Sequence, residues 1–320
     1  MIRRLTCLVV VLMLGVSTVS AQTAATFPTK EVKIVVGWAA GGGTDLVGRA
    51  IAAGMEKELG KPVIVINREG GGGAVGFQEI ASARPDGYTI GFLTPSIIAQ
   101  KYAQRAVAKS DLRNYEHLGT VNFDPTALIV RADAPWKTLR DFVADARKSP
   151  GKYRIGDAGP ASTWQVGVMA LAEVAGIRVV HVPYAGGGPA VKALAGGEVD
   201  AAGASAPEAA PLAAAGKLRI LALAGEKRDP IWPDIPTYRE EGFDVVVGAW
   251  RVLAAPKGTP KEIVGRLAAA IEKAAKSPAY REFLAKAGLG ELYLTPAETL
   301  RLLEHEDGRY RDLIQKAQAR

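Results

Sequence analysis

Short runs of β-branched residues alternate along the chain with glycine-rich turns and longer amphipathic stretches. This pattern predicts an α/β fold of strand–turn–helix units with mainly parallel sheets flanked by helices. Four such units are visible. Residues 32–37 run into Gly41-Gly42-Gly43-Thr44-Asp45 and a helix to about Leu59, and residues 63–67 run into Gly70-Gly71-Gly72-Gly73 and a helix through Ile80. Residues 153–156 lead through Gly159, Ser162 and Thr163 into a helix to Ala175, and residues 179–182 lead through Tyr184-Ala185-Gly186-Gly187-Gly188-Pro189 into a helix to Leu194.

The last eighty residues change character, with capping signals recurring and no strands expected between them. Thr259-Pro260-Lys261-Glu262 reads as a capping box with proline at the first helical position, ahead of an apolar face of Ile263, Val264, Leu267 and Ile271. Thr295-Pro296-Ala297-Glu298 repeats the device before Leu300, Leu303, Leu313 and Ile314, and Gly288 is expected to end the helix between them.

A length of 320 residues predicts about two domains. The first 21 residues read as an export leader: Arg3 and Arg4, an apolar run over 5–16, then Val19-Ser20-Ala21 as a small-residue cleavage site. Cys7 is the single cysteine and lies inside this leader, so the exported chain has no thiol for a disulfide, a nucleophile or a metal site. The formal charge of +7 falls to +5 with the loss of Arg3 and Arg4, and the remaining basic residues are interspersed with acidic ones, as in Glu226-Lys227-Arg228-Asp229. No basic run with interleaved aromatics suggests nucleic acid. No later stretch reaches 18 consecutive apolar residues.

A strand-to-helix glycine loop is a candidate anion site, because a helix N-terminus exposes unpaired N–H groups and glycine lets a ligand approach them. In parallel α/β sheets several such loops emerge at one edge and can converge on a crevice. The loops hold almost no Lys or Arg, which points to recognition by backbone amides and by the hydroxyls of Thr44, Ser162 and Thr163. Asp45 reads as a helix cap, with a ligand ammonium or hydroxyl as the alternative partner, and Trp164 as either a helix anchor or an apolar wall of the cleft.

Nucleotide and hydrolytic chemistry fit poorly. Gly71, Gly73 and Gly76 match G-x-G-x-x-G, but the strand over 88–93 ends in Thr94-Pro95-Ser96 with no acidic residue, and no Walker sequence is present. Gly203-Ala204-Ser205-Ala206-Pro207 approaches a nucleophile elbow but has proline in place of the last glycine. The three histidines show no H-E-x-x-H spacing; His181 reads as packed or hydrogen-bonded at a strand end, and His305 as solvated. An exported serine hydrolase using Ser205 or Ser162 with His181 stays as an alternative of a different class.

The chain resembles the substrate-binding receptors of tripartite tricarboxylate transporters, the Bug-type periplasmic proteins. The resemblance rests on the run Gly41-Gly42-Gly43-Thr44-Asp45-Leu46-Val47-Gly48-Arg49, on Arg84-Pro85-Asp86-Gly87-Tyr88-Thr89 and His181-Val182-Pro183-Tyr184-Ala185-Gly186-Gly187, and on Pro236-Thr237 and Ala255-Pro256-Lys257-Gly258-Thr259-Pro260. It implies a two-lobed type II periplasmic-binding-protein fold, with one lobe from residues 22–130 and 246–320, the other from 131–245, and a ligand cleft between them. It implies a non-catalytic, monomeric receptor that takes a small organic carboxylate, with no cofactor and no metal, and passes it to the large and small membrane subunits of the transporter. A receptor for an amino acid or an aromatic, nicotinamide-type acid is the alternative within the same fold. By position the ligand would meet Ala40, Gly42, Gly43, Thr44 and Asp45 in the first loop and Gly72 and Gly73 in the second. Ser162, Thr163, Trp164, Tyr184, Gly186 and Ser205 would face it from the other lobe. Glu69 departs from the usual proline of the second loop, so either it points away or the ligand brings a positive group.

Overall fold

The computed structural model describes residues 26–103 and 111–318; the leader lies outside the described residues. In chain order the first run of units is β1 (Val32–Val36), α1 (Gly43–Leu59), β2 (Val63–Asn67), α2 (Ala74–Ser82), β3 (Thr89–Leu93) and α3 (Ser96–Tyr102). It continues through β4 (Tyr115–Arg131), α4 (Leu139–Lys148), β5 (Arg154–Asp157), α5 (Thr163–Ala175) and β6 (Val180–Pro183). Then come α6 (Gly187–Ala195), β7 (Ala201–Ser205), α7 (Ala206–Ala214), β8 (Leu218–Leu223) and β9 (Gly248–Pro256), and the chain closes with α8 (Lys261–Lys276), α9 (Pro278–Ala287), β10 (Glu291–Leu294) and α10 (Pro296–Gln318).

The strands form two sheets that share β4. Parallel pairing holds for β1 with β2 and β3, and for β5 with β6 and β7. The long strand β4 ties the sheets together by antiparallel pairing. Its first part, from Tyr115 to Pro125, pairs with β9, which itself lies against β3, while residues from Thr126 onward pair with β7 and β8. Pairing partners therefore change between Pro125 and Thr126, where β4 passes from one sheet of this two-lobed α/β fold to the other.

Local sequence explains the units. The Val-Lys-Ile-Val-Val run of β1 is buried almost throughout, as expected of a strand covered on both faces. On α1, Val47, Ile51 and Met55 recur every four residues and are fully buried, and Gly60 closes the helix in the left-handed conformation. Helix α8 covers the same lobe through Ile263, Leu267 and Ile271.

Three expectations for the last eighty residues need correction. Two strands lie there: β9 runs between β3 and β4, and β10, only four residues long, pairs with β4 between two helices. Thr259 makes no capping box. Its hydroxyl donates to the Pro256 carbonyl at 2.8 Å, because the turn through Gly258 folds it back over the end of β9, and Pro260 takes the cap position. The box at Thr295 does form, with Glu298 Oε2 accepting from the Thr295 N–H and hydroxyl at 2.8 and 2.7 Å. Leu300, however, is turned outward, and its neighbour Thr299 is buried instead, its hydroxyl 2.9 Å from that of Thr120 on β4.

Candidate functional site

Strand ends from both lobes meet at one cavity of about 30 Å³. By the roughly 10–15 Å³ that one water centre requires, it has room for about two waters. The first turns of α1, α5, α6 and α7 border it, through Gly43 and Thr44, Thr163 and Trp164, Gly187, and Glu208 respectively. Four helix N-termini around one small volume give it a positive partial charge. The lobes touch directly at its rim: the Thr163 N–H donates to Ser96 Oγ at 3.0 Å, and the Ala39 N–H to the Ala185 carbonyl at 3.4 Å.

Of the residues expected from the sequence, Gly42, Gly43, Thr44, Ser162, Thr163 and Trp164 line this cavity, as does Gly186. The hydroxyls already have protein partners. Thr44 Oγ1 accepts from Arg251 Nε at 3.0 Å, Ser162 Oγ accepts from the Gln165 N–H as the cap of α5, and Thr163 Oγ1 lies 3.3 Å from Ser96 Oγ. Trp164 stands as an apolar wall in a small cluster with Ala158, Ala249 and Trp38.

Gly72, Gly73 and Tyr184 line a separate cavity of about 160 Å³, with Trp38 bordering both volumes. Gly72 carries φ +65°, and a Cβ on it would stand 2.5 Å from the Pro160 carbonyl oxygen of the opposite lobe. Only glycine permits both that conformation and that approach.

Ala40, Asp45 and Ser205 line neither cavity. Ala40 is exposed. Asp45 is 2% exposed and fully used by its own lobe: it accepts from the Gly41 N–H at 2.9 Å, from Arg49 Nε and Nη2 at 3.0 and 2.9 Å, and from Asn67 Nδ2 at 3.0 Å. Burial pushes its carboxyl up, but the Arg49, Gly41 and Asn67 hydrogen bonds and the Arg49 charge outweigh this and hold it below the ordinary carboxylate range. Ser205, buried, caps α7 and holds Glu208 rather than facing the cavity. Glu69 is exposed and lines neither cavity.

Ten cavity residues were not expected, and those that bring polar or aromatic groups are Trp38, Thr94, Ser96, Glu208 and Arg251. Thr94 and Ser96 sit at a third strand-to-helix junction, the end of β3, whose Thr-Pro-Ser run carries no glycine signal. Arg251 comes from the middle of β9 and is 1% exposed. Its guanidinium is held by Asp124 and Asn122 of β4 as well as by Thr44. The absence of cations from the loops thus does not leave the cavity without one.

No hydrolytic constellation is assembled among the described residues. His181 Nδ1 pairs with the buried Asp157 carboxylate at 2.8 Å, while Ser205 Oγ donates to Glu208. His305 is exposed, as expected.

The family model for the tripartite tricarboxylate transporter family receptor matches residues 47–318. A UPF0065 protein of Cupriavidus necator is 37% identical over 284 residues, which cover 88% of this chain and 86% of that protein. Among solved structures, MatC from Rhodopseudomonas palustris with bound malate is 31% identical with a TM-score of 0.83, covering 90% of this chain and all of that one. A second R. palustris protein, with adipate, is 28% identical with a TM-score of 0.86, covering 91% of this chain and 98% of the other. With the match running from the first turns of α1 to the end of α10, the chain belongs to the tripartite tricarboxylate transporter receptor family.

Proposed function

We propose that this receptor captures a small organic carboxylate between its lobes, closes over it, and delivers it in the periplasm to the membrane subunits of a tripartite transporter, without catalysis and as a monomer. The observation that carries the reading is the convergence of four helix N-termini and one buried guanidinium on a single interlobe cavity. A Kd of 1 μM requires about −8.2 kcal/mol. One helix terminus contributes about 0.3–1 kcal/mol, rising to about 2 when partly buried, so several must act together behind excluded water.

The lobes in this reading are residues 22–130 with 246–320, and residues 131–245. The change of β4 partners after Pro125 and the start of β9 at Gly248 support crossings near these positions. A cavity of about 30 Å³ is too small for a dicarboxylate, so the lobes must part before a ligand enters. The contacts holding Asp45 and Ser205 argue that they shape the site from behind, and Ala40 lies exposed, leaving Gly42, Gly43, Thr44, Ser162, Thr163, Trp164 and Gly186 as the contact set. Gly72, Gly73 and Tyr184 would meet the far end of a longer acid.

The test is thermal unfolding of ligand-stripped protein against dicarboxylates, tricarboxylates, aromatic acids, amino acids and the matching neutral amides. At 100 times Kd a ligand adds about 2.7 kcal/mol, which raises the Tm of a chain this size by roughly 2–4 °C per kcal/mol. A shift with an acid and none with its amide is expected. No shift with any acid would sink the reading.

A further inference from the structure

Two charged side chains, one from each lobe, flank the backbone of Gly43 at the start of α1. Arg251 Nε donates to Thr44 and Nη1 to Asn122 and Asp124, whereas Nη2 makes no hydrogen bond among the described residues. That free nitrogen lies 2.6 Å from the position a Cβ on Gly43 would take, so it stands against the first residue of the helix at the cavity wall. Thr94, 2% exposed, borders the same cavity with a hydroxyl that has no partner among the described residues. A guanidinium edge, a helix N-terminus and a spare hydroxyl together form a place for a carboxylate.

Glu208 approaches from the other lobe. Its Oε2 is satisfied by the Ser205 N–H at 3.0 Å and the Ser205 hydroxyl at 2.9 Å. Its Oε1 has only the Gly43 N–H, at 3.5 Å, which is too long for a full hydrogen bond, and Glu208 forms no ion pair among the described residues. The position is built for it: a Cβ on Gly187 would stand 2.3 Å from Glu208 Oε2, so any larger residue there would expel the carboxylate.

Gly43 is thus bordered by an uncommitted donor on one side and an uncommitted acceptor on the other. Resting on the receptor reading above, we propose that the cleft takes an acid with a hydrogen-bond donor on the carbon next to its carboxylate, that is, a 2-hydroxy or 2-amino acid. The carboxylate accepts from Arg251 Nη2 and the Gly43 N–H, and the neighbouring hydroxyl or ammonium donates to Glu208 Oε1. Glu208 is then the residue that separates such acids from plain dicarboxylates, which would bring only acceptors against it.

The experiment is calorimetric titration of the stripped full chain, and of Glu208→Gln, with succinate, malate and aspartate. These share one four-carbon diacid frame and differ only in the donor. Glutamine keeps an acceptor for the Ser205 cap, so the variant should fold, and its Tm in the absence of ligand checks this. In the wild-type protein malate or aspartate should bind at least about tenfold more tightly than succinate, with their order telling hydroxyl from ammonium. Glu208→Gln should bring the preferred acid and succinate to within about threefold of each other, because the amide loses the charge that favours the donor and repels succinate. Arg251→Lys, which keeps the buried charge, should weaken all three acids together. Equal binding of the three by the wild-type protein, or a preference that survives Glu208→Gln, would overturn the inference while leaving the receptor reading intact. No binding of any of the three would overturn the inference, and only the wider acid panel then decides the receptor reading.

Discussion

The Thr163 N–H at the start of α5 donates to Ser96 Oγ at the start of α3, across the cleft at 3.0 Å, and both side chains are buried. The two residues belong to different lobes, so this bond exists only while the lobes are closed. Ser96→Ala leaves a helix-terminal N–H without its partner, at a cost of roughly 1 kcal/mol. That energy falls on the closed form alone. About a fivefold shift toward the open form is expected, read as a larger radius of gyration in solution scattering without ligand and a slightly weaker Kd, with little change in Tm.

The Arg251–Asp124 pair predicts a large effect on folding. Both groups are 1% exposed, and Asp124 also accepts from the Gly290 N–H at 2.8 Å. Asp124→Ala strands a guanidinium away from water, which costs roughly 3–5 kcal/mol. Replacing the pair together, Asp124→Leu with Arg251→Met, removes the stranded charge and leaves the smaller cost of neutral groups that lose a partner, the Gly290 N–H and the Thr44 and Asn122 oxygens. The double variant is therefore expected to unfold at a higher denaturant midpoint than Asp124→Ala, and a lower midpoint would contradict the pairing.

Acid should destabilise the protein in two stages. Burial pushes the His117 imidazole below its ordinary value, and its Nε2 is sealed with no partner among the described residues. The unfolded chain therefore binds this proton first as the pH falls through about 6.5, and stability starts to decline there. Asp45, held below the ordinary range, contributes stability that is complete above about pH 4 and is lost as the pH falls further through its folded value. His117→Leu should flatten the Tm profile between about pH 7 and 5 and leave the lower decline in place. Calorimetric scans from acid to neutral pH check both stages.

The units that build the cleft were legible because each signal is local. A β-branched run, a glycine turn and an apolar helical stripe sit within some thirty residues, and helix-start hydroxyls such as Thr44, Ser162 and Thr163 fall where the turn places them. The guanidinium of Arg251 was not legible, because its role depends on a register between strands more than a hundred residues apart, in which Asn122 faces Arg251 and Asp124 lies two positions further along β4. Alone, Arg251 is one basic residue in an apolar strand. Glu208 was half legible: Ser205-Ala206-Pro207-Glu208 has the spacing of a capping box, but only the tertiary fold shows that the capping carboxylate also reaches Gly43. Strand β10 was hidden by its length, since four residues between helices carry no period of their own.

Two glycines with nearly the same backbone separate closure from folding. Gly72 has φ +65° and Gly60 φ +67°, so alanine at either position incurs a similar left-handed penalty of about 1–2 kcal/mol. Their surroundings differ. A Cβ on Gly60 meets nothing within 4 Å, whereas one on Gly72 would lie 2.5 Å from the Pro160 carbonyl oxygen in the other lobe. A clash between lobes is relieved by parting them, which leaves each lobe's own core undisturbed. Gly60→Ala and Gly72→Ala should therefore lower Tm by similar amounts. Only Gly72→Ala should enlarge the radius of gyration and weaken ligand binding, because its methyl group occupies space that exists only when the cleft is open. Equal scattering and equal affinity for the two variants would mean that the second glycine loop does not take part in closure.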